Sequence, residues 1–180
     1  MDFDGEYRIP APPGQVWLAL NDPAVLAGCI PGCKTLERRD DGRFSATIEA
    51  KVGPVRATFA GSVEMADLDP PFAYTLRGQG QAGPAGFARG EARVTLSADG
   101  EGTLLRYTAR AEIGGKLATV GSRLIQGVAR KTADDFFEAF ARGRVPAVPA
   151  EAPPPPAPPA RFPWPGPVLF LAALWLIFLS

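Results

Sequence analysis

Tyrosine and cysteine are the residues of this chain that could perform polar chemistry inside an apolar domain. The sequence has 180 residues and contains no histidine. The lack of histidine removes Ser-His-Asp and Cys-His catalysis and the usual zinc and non-haem iron sites. Alternating strand patterns predict that Tyr7, Tyr74 and Tyr107 point inward. A buried tyrosine hydroxyl needs a partner, which is either a backbone carbonyl or an oxygen of a bound ligand.

The two cysteines and one acidic pair are the other candidates for chemistry. Cys29 and Cys33 lie in the loop sequence CIPGC, and two thiols without further ligands make a poor metal site. We interpret them as structural cysteines, with a redox pair as the alternative. Asp134-Asp135 follows Arg130 and Lys131 on a predicted helix, where ion pairing four residues apart explains the carboxylates better than a paired-carboxylate active site.

Composition and charge describe an ordinary globular protein. Hydrophobic residues make up 46% and charged residues 21% of the chain, and the formal net charge is zero. This balance gives no indication of a nucleic-acid or polyanionic partner. The opening sequence MDFDGEYRIP shows no basic region followed by an apolar core, so we expect no secretory signal.

These candidate residues must be positioned by a sheet of seven strands. The chain reads as one strand over residues 2–9, two short helices that begin near Pro13 and Pro23, and six further strands. Sequences such as Asp41-Gly42 and Asp99-Gly100 mark hairpin turns between alternating segments. The six strands are predicted at residues 34–39, 43–52, 55–65, 72–81, 87–96 and 103–113.

A long helical segment follows the last strand. Residues 114–143 repeat apolar side chains at steps of three and four, which predicts one amphipathic helix of about 28 residues and roughly 42 Å. The predicted fold class is therefore α+β, with a curved seven-stranded antiparallel sheet wrapped around a long C-terminal helix. The buried face is predicted to contain Leu117, Val120, Leu124, Val128, Ala129, Thr132, Ala133, Phe136, Phe137 and Phe140.

Small residues occupy much of the predicted inward face. Alanine and glycine recur on the inner side of the strands, and Gly121 and Gly127 interrupt the apolar face of the helix. A curved sheet lined by small residues leaves an apolar cavity beneath a straight helix, or it draws the helix into tight packing. We favour the cavity and keep tight packing as the alternative.

The residues expected to line this cavity come from the sheet, the short helices and the long helix. Trp17 and Leu20 are either plain core residues of the first helix or a lid over the cavity mouth. The complete set of predicted ligand-binding residues is Tyr7, Trp17, Leu20, Leu26, Ile30, Phe59, Tyr74, Tyr107, Leu117, Val120, Gly121, Leu124 and Val128.

The composition changes after Gly143. Residues 144–163 are rich in proline and predict a semi-rigid spacer that reaches at most roughly 60 Å, with a proline-rich ligand for a partner domain as the alternative. Residues 164–180, WPGPVLFLAALWLIFLS, carry no charge and are at the lower length limit for a membrane span. We expect a C-terminal membrane anchor, with Arg161 favouring a cytoplasmic side for the preceding chain. The predicted division is a folded domain over 1–143, a linker and an anchor.

Four segments resemble one known protein family. They are FDGEYRIPAPPGQVWLALNDPAVLAGCIPGC (3–33), VGPVRATFAGSV (52–63), DLDPPFAYTLRGQG (67–80) and GGKLATVGSRLI (114–125). Together with the order of elements, they resemble the G-subunit family of carbon monoxide dehydrogenase, within the START and birch-pollen-allergen-like proteins. This resemblance implies the helix-grip fold.

The resemblance also implies a function. It indicates a non-catalytic accessory protein that holds a carbon monoxide dehydrogenase-type molybdenum hydroxylase at the cytoplasmic membrane. It further implies that the cavity binds a respiratory quinone, menaquinone or ubiquinone, and thereby connects the enzyme to the respiratory chain. No catalytic residue and no metal site are implied. The alternatives are a helix-grip cavity enzyme of cyclase or hydrolase type and a dry membrane anchor without a ligand.

Overall fold

The computed structural model describes residues 1–142, which form a seven-stranded sheet, two short helices and one long helix. The predicted order of elements is confirmed. The strands are β1 (Asp2–Ile9), β2 (Cys33–Arg38), β3 (Phe44–Val52), β4 (Val55–Asp69), β5 (Ala73–Gln81), β6 (Phe87–Asp99) and β7 (Gly102–Gly114). The helices are α1 (Pro13–Ala19), α2 (Pro23–Cys29) and α3 (Ser122–Ala141), and short 3-10 helices cover Gly83–Ala85 and Gly115–Val120.

The sheet is antiparallel throughout and is built mostly from hairpins. Its spatial order is β1-β7-β6-β5-β4-β3-β2, so the first two strands of the chain form its opposite edges. The helices α1 and α2 carry the chain from one edge to the other. Alternation along the strands is confirmed, because β3 buries every second residue from Phe44 to Val52 and exposes or half-buries the residues between them.

The short helix α2 begins where its local sequence dictates. The side chain of Asp22 accepts hydrogen bonds from the backbone N–H groups of Ala24 and Val25, at 2.8 and 3.4 Å. Pro23 occupies the first helical position, where its missing N–H leaves no bond unmade. This cap fixes where the chain turns beneath the sheet.

The long helix lies on the inner face of the sheet and completes the core. Ile125, Ala129, Phe136 and Phe140 of α3 are at most 1% exposed. They join the inward residues of the strands in one continuous apolar cluster. Each phenylalanine that is fully buried contributes about 2–3 kcal/mol relative to an exposed one, so α3 is held mainly by its contact with the sheet.

The prediction of one unbroken helix from Gly114 to Gly143 is wrong at its start. Gly121 has a φ of 99°, a left-handed value that an α-helix cannot contain, and α3 begins only after it. The preceding six residues form a 3-10 helix instead. The buried face differs accordingly, because Leu124 is 43% exposed and its neighbour Ile125 is fully buried.

The predicted tail lies beyond the described part of the chain. The linker of residues 144–163 and the anchor of residues 164–180 therefore remain sequence predictions. Within residues 1–142, no helix combines the length and the apolar character needed to cross a bilayer.

Candidate functional site

The fold brings most of the predicted ligand-binding residues together. All of them except Gly121 and Leu124 belong to the apolar core or pack against its margin. The buried members are Trp17, Leu20, Leu26, Ile30, Phe59, Tyr74, Tyr107 and Leu117, and the half-buried members are Tyr7, Val120 and Val128. The structure thus places these side chains in or beside one apolar cluster, and their role in ligand binding remains a prediction.

Gly121 does not have the place that the sequence suggested. A Cβ atom built on this residue meets no atom within 4 Å, so it borders open space and not the interior. A Cβ atom built on Gly127 also meets no atom within 4 Å, and this exposed residue lines a groove between β1 and α3. Gly121 therefore does not mark a space beneath the helix.

The hydroxyl of Tyr74 is the most unusual polar group of the core. Tyr74 on β5 is fully buried, and its hydroxyl has no hydrogen-bond partner among the described residues. Its ring meets Trp17 of α1 edge-on, with the ring centroids 5.4 Å apart. Burial raises the pKa of Tyr74 well above its ordinary value, so the hydroxyl stays protonated and can act as a donor. A buried donor without a partner costs about 1–3 kcal/mol, which makes a bound acceptor at this position favourable.

The other two inward tyrosines form a polar cluster at the β1 edge. The hydroxyl of Tyr7 donates to Oδ1 of Asp134 on α3 at 2.9 Å, and its ring stacks on Phe137 with centroids 4.0 Å apart. Tyr107 lies parallel to Tyr7 at 6.3 Å. Burial, followed by the bond to Asp134, raises the pKa of Tyr7. The Asp134 carboxylate thus accepts the hydrogen bond of the Tyr7 hydroxyl, and this bond joins α3 to β1.

The ion-pairing prediction holds for one of the two neighbouring aspartates. Lys131 contacts Asp135 at 2.6 Å, four residues further along α3. Asp134, by contrast, accepts from Tyr7, which the sequence did not indicate because the two residues are 127 positions apart. A spacing of four residues along a helix predicts only pairs of side chains that are close in the sequence.

A groove opens between β1 and α3 beside this cluster. Its volume is about 300 Å³, and Tyr107 forms part of its wall. The remaining lining residues are Asp2, Phe3, Asp4, Gln126, Gly127, Ala129 and Arg130. The groove therefore reaches from the surface to the buried Tyr107 of the tyrosine cluster.

A second groove lies on the outer face of the sheet, on the side away from α3. It measures about 630 Å³ and crosses β4, β5, β6 and β7. Its walls contain paired charges, with N–O distances of 3.2 Å for Arg43–Glu64, 3.5 Å for Arg77–Glu91 and 2.9 Å for Arg89–Glu112. These outward charges thus form solvated cross-strand pairs. This groove is not the apolar cavity that the sequence predicted.

The two cysteines are thiols that are not joined in a disulfide. Cys29 is buried at the end of α2, and Cys33 is half-buried at the start of β2. The Sγ atom of Cys33 donates to the backbone oxygen of Thr35 at 3.6 Å, and burial raises the pKa of its thiol. Residues 1–142 contain no cluster of three or more histidine, cysteine, aspartate or glutamate side chains that could hold a metal ion. The structural interpretation of both cysteines fits these surroundings.

Solved structures of other proteins share this fold. A conserved protein from Geobacillus kaustophilus is 34% identical, with a TM-score of 0.74, over 79% of this chain and 93% of the other. A protein from Thermus thermophilus is 21% identical, with a TM-score of 0.60, over 81% and 97% of the two chains. An aromatase/cyclase from a Streptomyces species is 19% identical, with a TM-score of 0.56, over 78% and 91%. The latter two show the helix-grip fold alone.

The sequence comparison gives the family. No curated protein sequence matches the chain. The family model for the G subunit of carbon monoxide dehydrogenase, CoxG, in contrast, matches residues 5–143, which include almost the whole described fold. This chain therefore belongs to the CoxG family of carbon monoxide dehydrogenase subunits.

Proposed function

We propose that this protein binds a lipophilic ligand, a respiratory quinone, between α3 and the sheet. We further propose that it holds a carbon monoxide dehydrogenase-type molybdenum hydroxylase at the cytoplasmic face of the membrane and connects it to the respiratory chain. The observation that carries the ligand proposal is the buried hydroxyl of Tyr74, which has no partner among the described residues.

The chemistry around Tyr74 suits a quinone. Menaquinone and ubiquinone present carbonyl acceptors on a flat apolar ring with an apolar chain. Tyr74 offers one neutral donor, and the surrounding core residues such as Trp17 and Leu76 are apolar. Small-molecule sites commonly combine an apolar lining with a few orienting polar groups.

The polar groups of the core favour binding over catalysis. Apart from its tyrosines, the described core buries only Thr75, Thr103 and Thr132 as polar residues. The hydroxyl of Thr103 is already used, since it donates to the backbone oxygen of Ala11 at 2.6 Å. Threonines do not supply the acid–base pair that a cyclase or hydrolase needs. We therefore place the enzyme alternative second.

The association with a partner enzyme and the attachment to the membrane are supported by different observations. The family name refers to a component of carbon monoxide dehydrogenase, which supports an association with that type of enzyme. Membrane attachment is supported by the uncharged sequence of residues 164–180. The proline-rich residues before it supply the spacer.

Replacing Tyr74 by phenylalanine tests the ligand proposal. The variant keeps the ring contact with Trp17 and removes the unpartnered hydroxyl. We expect the free energy of unfolding of the ligand-free protein to stay the same or rise by about 1 kcal/mol. We expect the affinity for a short-chain quinone to fall about tenfold, because a buried hydrogen bond to the carbonyl is lost. Urea unfolding and fluorescence titration measure the two quantities.

The matched stability control is Tyr7→Phe, which removes a hydroxyl that has a partner. This variant loses the bond to Asp134 and is expected to lose about 1 kcal/mol of stability, a value discounted for solvent exposure. Equal quinone affinity in the wild-type protein and in Tyr74→Phe overturns the assignment of Tyr74. If neither protein binds quinone, the dry-anchor alternative is favoured.

A further inference from the structure

The connections at the two ends of the sheet carry opposite charge. One end contains the β3–β4 turn, the β5–β6 connection and the connection from β7 into α3, which correspond to residues 51–56, 82–86 and 113–124. The start of β1 also lies at the first of these ends, and its Asp2 is paired with Arg110 at 3.2 Å. We call the three connecting segments the basic end. They contain no acidic residue. Their basic residues are Lys51, Arg56, Lys116 and Arg123, all of them exposed.

Most of these positive charges have no counter-ion in the part of the chain that the structure describes. Arg56 lies 3.7 Å from Glu49, which Lys34 also contacts at 3.4 Å. Lys51, Lys116 and Arg123 form no ion pair within residues 1–142. The nearby Glu112 is already occupied by Arg89 on the outer face of the sheet. The basic end thus offers free positive charge to a partner.

Apolar side chains lie among these charges. Leu124 is 43% exposed at the start of α3, and Phe87 is 39% exposed at the first position of β6. The segments are in contact, because a Cβ atom on Gly53 would lie 2.7 Å from Cδ2 of Leu124. Similarly, a Cβ atom on Gly86 would lie 2.0 Å from the backbone oxygen of Gly114. The apolar and basic side chains therefore form one continuous surface.

The opposite end has a different character. It contains the β2–β3, β4–β5 and β6–β7 turns, at residues 39–43, 67–72 and 99–101, which we call the acidic end. Leu68 and Phe72 are exposed there as well, so exposed apolar residues alone do not distinguish the two ends. Charge does. The turns of the acidic end carry Asp40, Asp41, Asp67, Asp69, Asp99 and Glu101 against Arg39 and Arg43. Arg8 and Arg77 on the neighbouring strands pair with only two of these carboxylates, Asp99 at 3.3 Å and Asp67 at 4.0 Å.

We propose that the basic end docks on an anionic lipid surface. Exposed basic side chains around apolar ones match the negative headgroups and the acyl boundary of such a membrane, and the acidic end is repelled by it. The proposal extends the proposed membrane attachment, since it states which end of the folded domain faces the bilayer. That orientation brings the start of α3 and the ligand region beneath it close to the lipid phase.

The predicted tether is long enough for this orientation. The helix α3 runs from the basic end to the acidic end and, with 20 residues, is about 30 Å long. The linker leaves from its far end and can reach roughly 60 Å. The chain can therefore return along the domain and enter the same membrane on which the basic end lies.

Hydrogen–deuterium exchange of the full-length protein on vesicles tests the proposal. One set of vesicles is pure phosphatidylcholine, and the other contains phosphatidylglycerol as well. Docking slows amide exchange in residues 51–56 and 113–124 on the anionic vesicles only. Each basic side chain near an anionic surface contributes about fivefold to association, so Lys116→Gln combined with Arg123→Gln is expected to weaken the contact about 25-fold. The matched control, Arg38→Gln with Arg39→Gln, removes the same charge near the acidic end and keeps the protection.

Each outcome has a distinct meaning. Protein bound to both vesicles with unchanged exchange at the basic end overturns the docking surface and leaves the tether intact. Slower amide exchange in residues 67–72, and not at the basic end, overturns the proposed orientation. Absence of binding to either vesicle contradicts both the tether and the docking surface. Protection that survives the paired glutamine substitutions shows that these charges do not carry the contact and overturns the proposal.

Discussion

Truncating Phe136 to alanine is expected to lower the free energy of unfolding by about 3–5 kcal/mol. Phe136 lies at the centre of the buried face of α3 and is 0% exposed. Its ring packs edge-on against Phe137 at 5.0 Å and stacks near Phe140 at 5.9 Å between centroids. The substitution removes a large apolar side chain and leaves a cavity that the rigid sheet cannot fill. Urea denaturation followed by circular dichroism measures the loss.

The matched control makes the same substitution on an exposed ring. Phe72 lies in the β4–β5 turn and is 55% exposed, so Phe72→Ala is expected to change stability by at most about 1 kcal/mol. A loss at Phe136 no greater than the loss at Phe72 would show that α3 is not packed on the sheet as described. The docking of α3 is the part of the fold on which the proposed ligand site depends.

Deleting residues 164–180 is expected to release the protein and its partner enzyme from the membrane. The segment is uncharged and follows a spacer, so it is the strongest candidate for attachment in the sequence. We expect the membrane-bound fraction of the partner dehydrogenase to fall at least about tenfold, because peripheral contacts alone bind membranes reversibly. Fractionation of cells that carry the deletion, with immunoblots for both proteins, measures this change.

The control replaces the deleted segment with an unrelated apolar tail anchor. This replacement should restore both proteins to the membrane, since the proposal assigns the segment no role beyond attachment. If the partner remains at the membrane to the same extent after the deletion, recruitment through residues 164–180 is wrong. If the accessory protein alone is released, the partner has an attachment of its own.

The sheet was predictable from sequence because its signals are local. Alternating apolar residues identify an inner face, and turn sequences such as Asp99-Gly100 separate the strands. The order of the elements and the burial of residues such as Phe44 and Tyr74 followed from these patterns. The antiparallel pairing follows from the short turns that join successive strands.

The start of α3 and the details of the site were not predictable in the same way. The helical repeat of apolar residues continues from Leu117 through Gly121 without a break in the sequence pattern. Only the left-handed backbone at Gly121 shows that α3 has not yet begun there. The bond between Tyr7 and Asp134 joins β1 to α3 across most of the sequence. The fit between helix and sheet depends on sheet curvature, so small inward residues alone do not predict a cavity.

Co-purification is the most direct test of whether the interior of the protein holds a quinone. The full-length protein is purified from its native membranes in mild detergent, extracted with solvent and analysed by mass spectrometry, beside Tyr74→Phe prepared in parallel. We expect a quinone in the wild-type extract at an amount approaching that of the protein, and clearly less in the variant. A wild-type extract with no quinone above the level of an unrelated tail-anchored protein would contradict it.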